Sequence, residues 1–249
     1  IKRSRGIADK MASGIDYLMK KNKITTIYGT AKLAGKGKVS VEEKDGKKEY
    51  SAKHIIIATG ARPKTLPNVE IDRKTILTSK EAMNLEKAPK SMVIIGAGAI
   101  GIEFTYFYAV LGTKVTVIEA QDQILPVEDK DISNIVQKSL KSKGVEFKTG
   151  MFVDSVKTTR GGAEVAFKKG KDGKVETVKA EKVLMAVGVT GNVENLGLED
   201  AGVEIERGHI KVDDHYKTNI DGVYAIGDVI GAPWLAHVAS AEAEHCVEV

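Results

Sequence analysis

The residue types most suggestive of chemistry lie near the middle of the chain, where three glycines follow the spacing G-x-G-x-x-G in Gly96-Ala97-Gly98-Ala99-Ile100-Gly101. An apolar run precedes this loop and a helical pattern follows it. A second apolar run ends at Glu119, 21 residues after Gly98. A strand, a glycine turn, a helix and a strand that ends in an acidic residue form the dinucleotide-binding fingerprint. We therefore predict that this segment binds a dinucleotide.

Each residue of the fingerprint has a physical role. Gly96 permits the tight turn, Gly98 lets a pyrophosphate approach the backbone, and Gly101 lets the helix pack closely on the strand. The start of the helix offers free N–H groups and a partial positive charge to the phosphates. Glu119 would accept hydrogen bonds from the adenosine ribose and repel a 2′-phosphate. Because residues 119–128 contain no Arg or Lys, NAD is favoured over NADP.

Two further acidic residues are candidates for a site. Asp228 follows Gly227 at the end of the apolar run 223–226, and ligands of open α/β sheets bind at the carboxyl ends of strands. Its alternative is a turn or N-cap aspartate. A helix is predicted to begin near Pro233, which suits a first helical position. Glu103 lies two residues after Gly101 in an apolar helix, and its alternative is a first-turn acid stabilised by the helix dipole.

Other kinds of site are not indicated. The five histidines show no metal-ligand spacing with Cys or carboxylates, so we predict no metal site. No G-x-S-x-G motif is present, and nothing suggests a nucleophilic triad. The single cysteine, Cys246, excludes a disulfide scaffold and favours a cytoplasmic location.

Composition limits the class of protein. The 249 residues are 42% hydrophobic and 29% charged, which is typical of a globular protein with a sizeable core. The net charge is +4, but the lysines are spread along the chain and aromatic content is only 5%, so nucleic-acid binding is not predicted. No apolar run approaches the length of about 18 residues that a membrane helix needs.

The surrounding pattern predicts the elements that position these residues. Gly6–Lys20 reads as an amphipathic helix whose apolar stripe is expected to pack into a core. Strands are predicted at 24–33, at 38–42, and at 54–60 (HIIIATG), with Asp45-Gly46 as a hairpin turn. Residues 62–89 are turn-rich and are interpreted as a crossover between domains.

The second half of the pattern alternates strands and helices. Met92–Ala120 reads as strand, turn, helix and strand, and a helix at 131–142 and a strand at 145–148 follow. A meander with turns at Gly161-Gly162 and Asp172-Gly173 leads to a final strand at 182–188. This order predicts an α/β fold of the Rossmann-like, three-layer type, a parallel sheet with helices on both faces and an added antiparallel meander.

The two halves also repeat one another. Residues 44–60 and 171–188 each contain an Asp-Gly turn, a strand and a buried strand that ends in Ala-x-Gly. The Asp-Gly pairs lie 127 residues apart and the final glycines 128 apart. Gly96 precedes Gly188 by 92 residues, so an equivalent loop for the first half would fall before Ile1. We therefore expect the chain to be a central fragment of a longer protein.

These motifs together resemble a known family. HIIIATG, IIGAGAIGIEF, a Glu that ends the next strand, and GVYAIGDV are similar to those of the flavin-dependent pyridine nucleotide-disulfide oxidoreductases, most closely the members that oxidise dihydrolipoamide. The resemblance covers essentially the whole chain. It implies an NAD-binding domain at 63–190, inserted in an FAD-binding domain formed by 1–62 and 191–249.

The resemblance also implies site residues. For NAD they are Gly96, Ala97, Gly98, Ala99, Ile100, Gly101, Glu103, Glu119, Val153 and Gly188, with Glu119 on the ribose. For FAD they are Gly29, Thr59, Gly60, Ala61, Asp228, Trp234, Leu235, Ala236 and His237, with Asp228 on the ribityl chain and the last four beneath the isoalloxazine. Glu103 is implied as a catalytic residue near the flavin and the nicotinamide.

The implied parent enzyme passes electrons from dihydrolipoamide through a Cys pair and FAD to NAD. It is implied to be a homodimer and a component of 2-oxoacid dehydrogenase complexes. The Cys-x4-Cys segment of the family and its C-terminal His-Glu pair are absent from these 249 residues, and the FAD site is expected to be incomplete. We therefore expect the chain itself to be inactive as a disulfide reductase. The alternatives are a sister flavoenzyme, such as an NADH oxidase or mercuric reductase, and a non-catalytic NAD-binding module.

Overall fold

The computed structural model describes residues 2–67, 69–170 and 173–248. The predicted turn at Asp172 lies outside these residues. The described helices are α1 (Lys2–Lys21), α2 (Ser79–Ala82), α3 (Ala99–Val110), α4 (Lys130–Lys141), α5 (Leu198–Ala201) and α6 (Ala236–Glu248), with a 3-10 turn at Gly227–Ile230. The strands are β1 (Thr30–Leu33), β2 (Lys38–Glu43), β3 (Gly46–Ser51), β4 (Ile55–Ile57), β5 (Ala61–Pro63), β6 (Ile76–Leu77), β7 (Ser91–Ile95), β8 (Lys114–Ile118), β9 (Glu146–Lys148), β10 (Met151–Thr159), β11 (Gly162–Lys169), β12 (Glu176–Ala180), β13 (Lys182–Met185), β14 (Val189–Gly191), β15 (Ile205–Glu206), β16 (His209–Ile210) and β17 (Val223–Ala225).

The backbone forms two compact units. The central unit is Pro63–Gly188, and the split unit combines Lys2–Arg62 with residues 189–248. The fold class predicted from the alternation of elements is confirmed, since parallel and antiparallel sheets occur together with helices.

The central unit contains a five-stranded parallel sheet in the order β6-β13-β7-β8-β9. Its middle strand, β7, is apolar and buried from Met92 to Ile95, as expected for a strand covered on both faces. Met92 and Ile94 point into a cluster with α3 and α4, whereas Val93 and Ile95 point into a second cluster. Alternate side chains of this one strand therefore pack into two different hydrophobic clusters.

The second face of this sheet corrects one prediction. Helices were expected on both faces, but the second cluster is completed by Val165 and Phe167 of β11, which pairs with β10 and β12 in an antiparallel meander. The predicted meander is thus the third layer, because the alternate residues of β11 are buried against the parallel sheet. Among the described residues of the central unit, the helices α3 and α4 pack on the first face.

The split unit has smaller sheets. β1, β2 and β3 form an antiparallel sheet, and its hairpin turn lies at residues 44–45, one residue before the predicted Asp45-Gly46, because Gly46 already pairs with Glu43. β4 and β17 pair in parallel, and Ile57 and Ala225 lie in the same register position and are both buried. A third apolar cluster joins β4, β17, α5 and the 3-10 turn.

Helix α1 differs from its prediction. The amphipathic helix is present, but its apolar stripe is exposed: Met11 is 68% exposed, and Ile7, Ile15 and Leu18 are each at least 50% exposed. The expectation that this stripe packs into a core is therefore wrong for the described chain. Among the described residues, no helix combines the length and the apolar character needed to cross a bilayer.

Candidate nucleotide-binding sites

The glycine loop follows β7 and starts α3, and each glycine has a different environment. Gly96 has φ of +100°, which a residue with a side chain adopts only under strain. A Cβ at Gly101 would overlap the carbonyl of Gly96, so this glycine lets the helix and the loop approach closely. A Cβ at Gly98 would have no atom within 4 Å. Gly98 therefore leaves open space at the helix N-cap.

The loop lies at the carboxyl edge of the parallel sheet. The N–H of Gly96 donates to Ile118 at 2.8 Å, and the N–H of Ala186 donates to Ile95 at the same distance. These bonds join the ends of β7, β8 and β13. Gly188, with φ of +106°, comes two residues after Ala186 and accepts a hydrogen bond from the N–H of Lys64. The structure therefore brings Gly188 to the same edge as the glycine loop.

Glu119 links the loop to the second strand. Its carboxylate accepts hydrogen bonds from the N–H of Ala97 at 2.6 Å and from the N–H of Gln121 at 2.8 Å. The residue is only 8% exposed. Its backbone carbonyl accepts from the N–H of Met151, two residues before Val153 on β10. Glu119, Val153 and the loop are thus held together, although they are distant in sequence.

This geometry fits a dinucleotide. The open space at Gly98 adjoins the start of α3, whose first N–H groups have no partner within the helix and give a partial positive charge. Glu119 holds its carboxylate at the loop, and each carboxylate oxygen keeps a lone pair beyond the backbone bond it accepts. A pyrophosphate at Gly98 and a ribose diol at Glu119 match these two features.

Glu103 lies in the first part of α3 and is exposed. The buried side of α3 includes its neighbours Ile102 and Thr105. Glu103 therefore points away from the core that holds the helix, which leaves its carboxylate free to face a ligand or solvent. Its role stays a prediction.

In the split unit, the predicted residues gather at the ends of β4 and β17. The N–H of Ile226 donates to Ile57 at 3.0 Å, so Thr59-Gly60 and Gly227-Asp228 leave the same edge of this parallel pair. Gly60 has φ of +72°. Asp228 lies in the 3-10 turn that follows β17. This is the edge at which α/β sheets bind ligands.

Two residues that sequence reasoning missed support this edge. Asn192 bonds Thr59 in both directions: its Nδ2 donates to the carbonyl of Thr59 at 2.9 Å, and Thr59 Oγ1 donates to its carbonyl at 2.8 Å. Glu242, a buried carboxylate on α6, accepts from the N–H of Gly227 at 2.6 Å. No sequence pattern singled out Asn192, and Glu242 is one of three glutamates on a mixed helix, of which the fold buries only this one.

An ion pair between Arg62 of β5 and Glu194 lies beside this edge. The two terminal nitrogens of the Arg62 guanidinium donate to the two carboxylate oxygens of Glu194, and one of them also donates to the carbonyl of Gly191. Hydrogen bonding to Arg62 lowers the pKa of Glu194 below its usual value. Ala61 directly precedes Arg62 on β5, so the contacts of Arg62 hold this strand, and with it the backbone of Ala61, in place.

The start of α6 corrects another prediction. The helix begins at Ala236 rather than near Pro233. The N–H of Leu235 donates to Pro233 in a tight turn, and the carbonyl of Leu235 is the first to accept helical bonds, from Val238 and Ala239. Trp234, Leu235, Ala236 and His237 are exposed at this end of the helix. The helix therefore begins immediately after this turn.

Gly29 lies apart from the other predicted residues. It precedes β1, and a Cβ there would overlap the carbonyl of Glu42 and the side chain of Val41 on β2. The structure thus gives Gly29 a packing reason that needs no ligand. Its predicted contact with FAD stays a prediction.

Comparison with known proteins agrees with these features. The family described as "Pyridine nucleotide-disulphide oxidoreductase" matches residues 2–243. The chain is 44% identical to the dihydrolipoyl dehydrogenase of Rhizobium etli, over 99% of this chain and 54% of the relative. It is 42% identical to that of Bacillus subtilis, again over 99% of this chain and 54% of the relative.

A solved structure gives the same result. LpdA from Mycobacterium tuberculosis superimposes with a TM-score of 0.89 at 31% identity, over 98% of this chain and 54% of that chain. The chain thus spans about half the length of the relatives it matches. The resemblance seen in the sequence motifs is confirmed, and the chain belongs to the pyridine nucleotide-disulphide oxidoreductase family.

Proposed function

We propose that the central unit binds NAD(H), and that the chain is the nucleotide-binding part of an enzyme that oxidises dihydrolipoamide. The observation that carries this proposal is the carboxylate of Glu119 bonded to the glycine loop beside the open space at Gly98. The dihydrolipoyl dehydrogenases among the relatives support the substrate.

In this proposal the residues bind and orient. Gly98 and the start of α3 hold the pyrophosphate, and Glu119 holds the adenosine ribose and disfavours a 2′-phosphate. Val153 and Gly188 line the same site. Glu103 faces the reacting end of the cofactor from the exposed side of α3. The cofactors, NAD and FAD, supply the hydride chemistry when bound.

The split unit is proposed to contribute to an FAD site. Thr59-Gly60 and Asp228 lie at the carboxyl edge of β4 and β17, where an aspartate can accept hydrogen bonds from hydroxyl groups of a ribityl chain. The sequence contains one G-x-G-x-x-G loop, and this loop lies in the central unit. FAD binding by these 249 residues is therefore proposed to be weak, and the pure chain colourless or pale.

For the whole protein we propose what the motif resemblance implies: electrons pass from dihydrolipoamide through a Cys pair and FAD to NAD, in a cytoplasmic homodimer that belongs to a 2-oxoacid dehydrogenase complex. No nucleic-acid or membrane partner is proposed. A dithiol relay needs two thiols, and the sequence contains only Cys246, which is buried. These 249 residues alone are therefore proposed to lack lipoamide turnover.

The first experiment is a calorimetric titration of the chain with NADH and, separately, with NADPH. We expect saturable binding of NADH and weaker binding of NADPH. Absence of any saturable NADH binding would refute the proposal.

A lipoamide assay with NADH and a flavin absorption spectrum test the other parts. We expect no turnover and no stoichiometric flavin. Turnover, or a full flavin spectrum, would overturn the proposed inactivity and the weak FAD site respectively. Binding of NADH without any functional link to lipoamide in the whole protein would favour a sister flavoenzyme or a non-catalytic NAD-binding module.

A further inference from the structure

Two histidines outside the candidate nucleotide sites face one another in the split unit. His215 lies in the turn before β17, and His245 lies in the last turn of α6. The distance from His215 Nδ1 to His245 Nε2 is 3.4 Å, and the two ring planes are inclined by only 17°. Both side chains are exposed. The pair is therefore accessible to a small ligand from solvent.

The backbone holds His215 firmly. The carboxylate of Asp213 accepts hydrogen bonds from the N–H groups of His215 and Lys217, both at 2.9 Å. Tyr216, between them, has φ of +61°, and its carbonyl accepts from the N–H of Ala225 on β17. This turn is thus anchored to the sheet, and the backbone of His215 is held in place.

His245 is held by its helix and by an aromatic neighbour. The next residue, Cys246, is buried and fixes this face of α6 against the unit. The ring of Tyr216 meets the ring of His245 edge-on, with centroids 5.8 Å apart. The backbones of the two histidines are therefore anchored by different elements before a shared ligand binds.

The distance matches the requirement of a metal ion. Imidazole nitrogens bind zinc at about 2.0–2.1 Å in tetrahedral geometry, which places two neighbouring ligand nitrogens about 3.3 Å apart. We propose that His215 Nδ1 and His245 Nε2 bind one late first-row divalent cation such as Zn²⁺, with water completing its coordination.

Among the residues that the structure describes, no group of three or more His, Cys, Asp or Glu side chains is arranged to hold a metal. The site is therefore a two-ligand site, open to solvent and to exogenous ligands, and not a closed structural one. The sequence predicted no metal site, because His215 and His245 are 30 residues apart and only the fold brings them together.

A hydrogen bond between the rings requires one N–H and one lone pair, whereas a shared metal requires a lone pair on both nitrogens. The two arrangements therefore differ in the tautomer of one ring. Long-range nitrogen–proton NMR of the imidazoles, recorded with and without ZnCl₂, distinguishes them. We expect Zn²⁺ to shift His215 Nδ1 and His245 Nε2 and to leave the nitrogens of His54 unchanged.

The affinity test is a competition titration of the full 249-residue chain with Zn²⁺ and a chromophoric chelator. We expect one ion per chain. His215→Ala and His245→Gln should each weaken binding by more than about tenfold, since loss of even a second-shell partner costs about 10–100-fold. His54→Ala, the matched control at another exposed histidine, should bind like the wild type, and His245→Cys should retain most of the affinity because a thiolate is also a ligand.

A circular dichroism melt shows whether each variant is folded. Equal Zn²⁺ affinity in the wild type and in folded His245→Gln would overturn the proposal. Unshifted nitrogens at both histidines under saturating Zn²⁺ would overturn it independently, without any substitution.

Discussion

The glycine loop offers a pair of matched substitutions that separate binding from folding. Gly98→Ala and Gly101→Ala add the same methyl group three residues apart, at the start of α3. The methyl group at residue 98 has no atom within 4 Å, whereas the one at residue 101 overlaps the carbonyl of Gly96. We therefore expect Gly98→Ala to weaken binding at unchanged stability and Gly101→Ala to lower stability, although the two changes are chemically identical.

The magnitudes follow from these contacts. Gly98 has φ of −70°, which alanine adopts freely, so Gly98→Ala should change the free energy of unfolding by less than about 1 kcal/mol. Its methyl group occupies the approach of the pyrophosphate, and a steric cost of about 1–3 kcal/mol corresponds to about 5- to 150-fold weaker NADH binding.

Gly101→Ala should act on folding instead. Its methyl group meets backbone, which cannot rotate away as a side chain can, so overpacking should cost about 1–3 kcal/mol. For a chain of this size that cost lowers Tm by about 2–12 °C. Binding of NADH by the remaining folded protein should also weaken, because the loop must shift.

The assays are a thermal melt and an NADH fluorescence titration of each variant. Gly98→Ala should melt with the wild type and bind NADH weakly, and Gly101→Ala should melt earlier. Wild-type affinity in Gly98→Ala would refute the assignment of the pyrophosphate to this loop. A wild-type Tm for Gly101→Ala would refute the packing role of that glycine.

Three other predictions address single residues. Glu119→Gln should lower the free energy of unfolding by about 1–3 kcal/mol, measured as a lower urea midpoint. The reason is that an amide cannot accept at both oxygen positions, so one N–H, such as that of Ala97, loses its partner. An unchanged midpoint would contradict this bond. Gly14→Ala should stabilise α1 by about 0.5–1 kcal/mol, because alanine loses less backbone entropy than glycine in a helix and its Cβ meets no atom within 4 Å. Circular dichroism measures this change, and destabilisation would argue against a helix at this residue. Burial raises the pKa of Tyr108, whose hydroxyl donates to Ala82, to about 12. The neutral phenol therefore stabilises the fold fully below the unfolded pKa of about 10, and this stability is lost as the pH rises toward 12. Between pH 10 and 12, Tyr108→Phe should therefore lose less stability than the wild type.

Local patterns predicted much of the fold. The loop 96–101 and the strand that ends at Glu119 were located correctly because a buried parallel strand and a glycine turn leave short-range signals. The helix at 131–142 was placed within a residue of the observed Lys130–Lys141 for the same reason. The helix start near Pro233 was three residues early, since proline permits a first helical position but does not require one.

Predictions about packing were less reliable. The periodicity of α1 established an apolar stripe but not what would cover it, and Met11 is exposed. The pattern of the meander established its strands but not that β11 would form the third layer, against the second face of the parallel sheet. Hydrophobic period defines a face of an element, whereas the partner of that face depends on contacts that are distant in sequence.

By itself, the sequence determined the family, the α/β class and the dinucleotide fingerprint, because each depends on residue types at fixed short spacings. Tertiary structure alone decided that Asn192 bonds Thr59, that Glu242 holds Gly227, and that His215 meets His245. These contacts join residues 15 to 133 positions apart, and no local propensity specifies such pairs. They form because strands and helices, once packed, leave each polar side chain only the partners that the fold brings within reach.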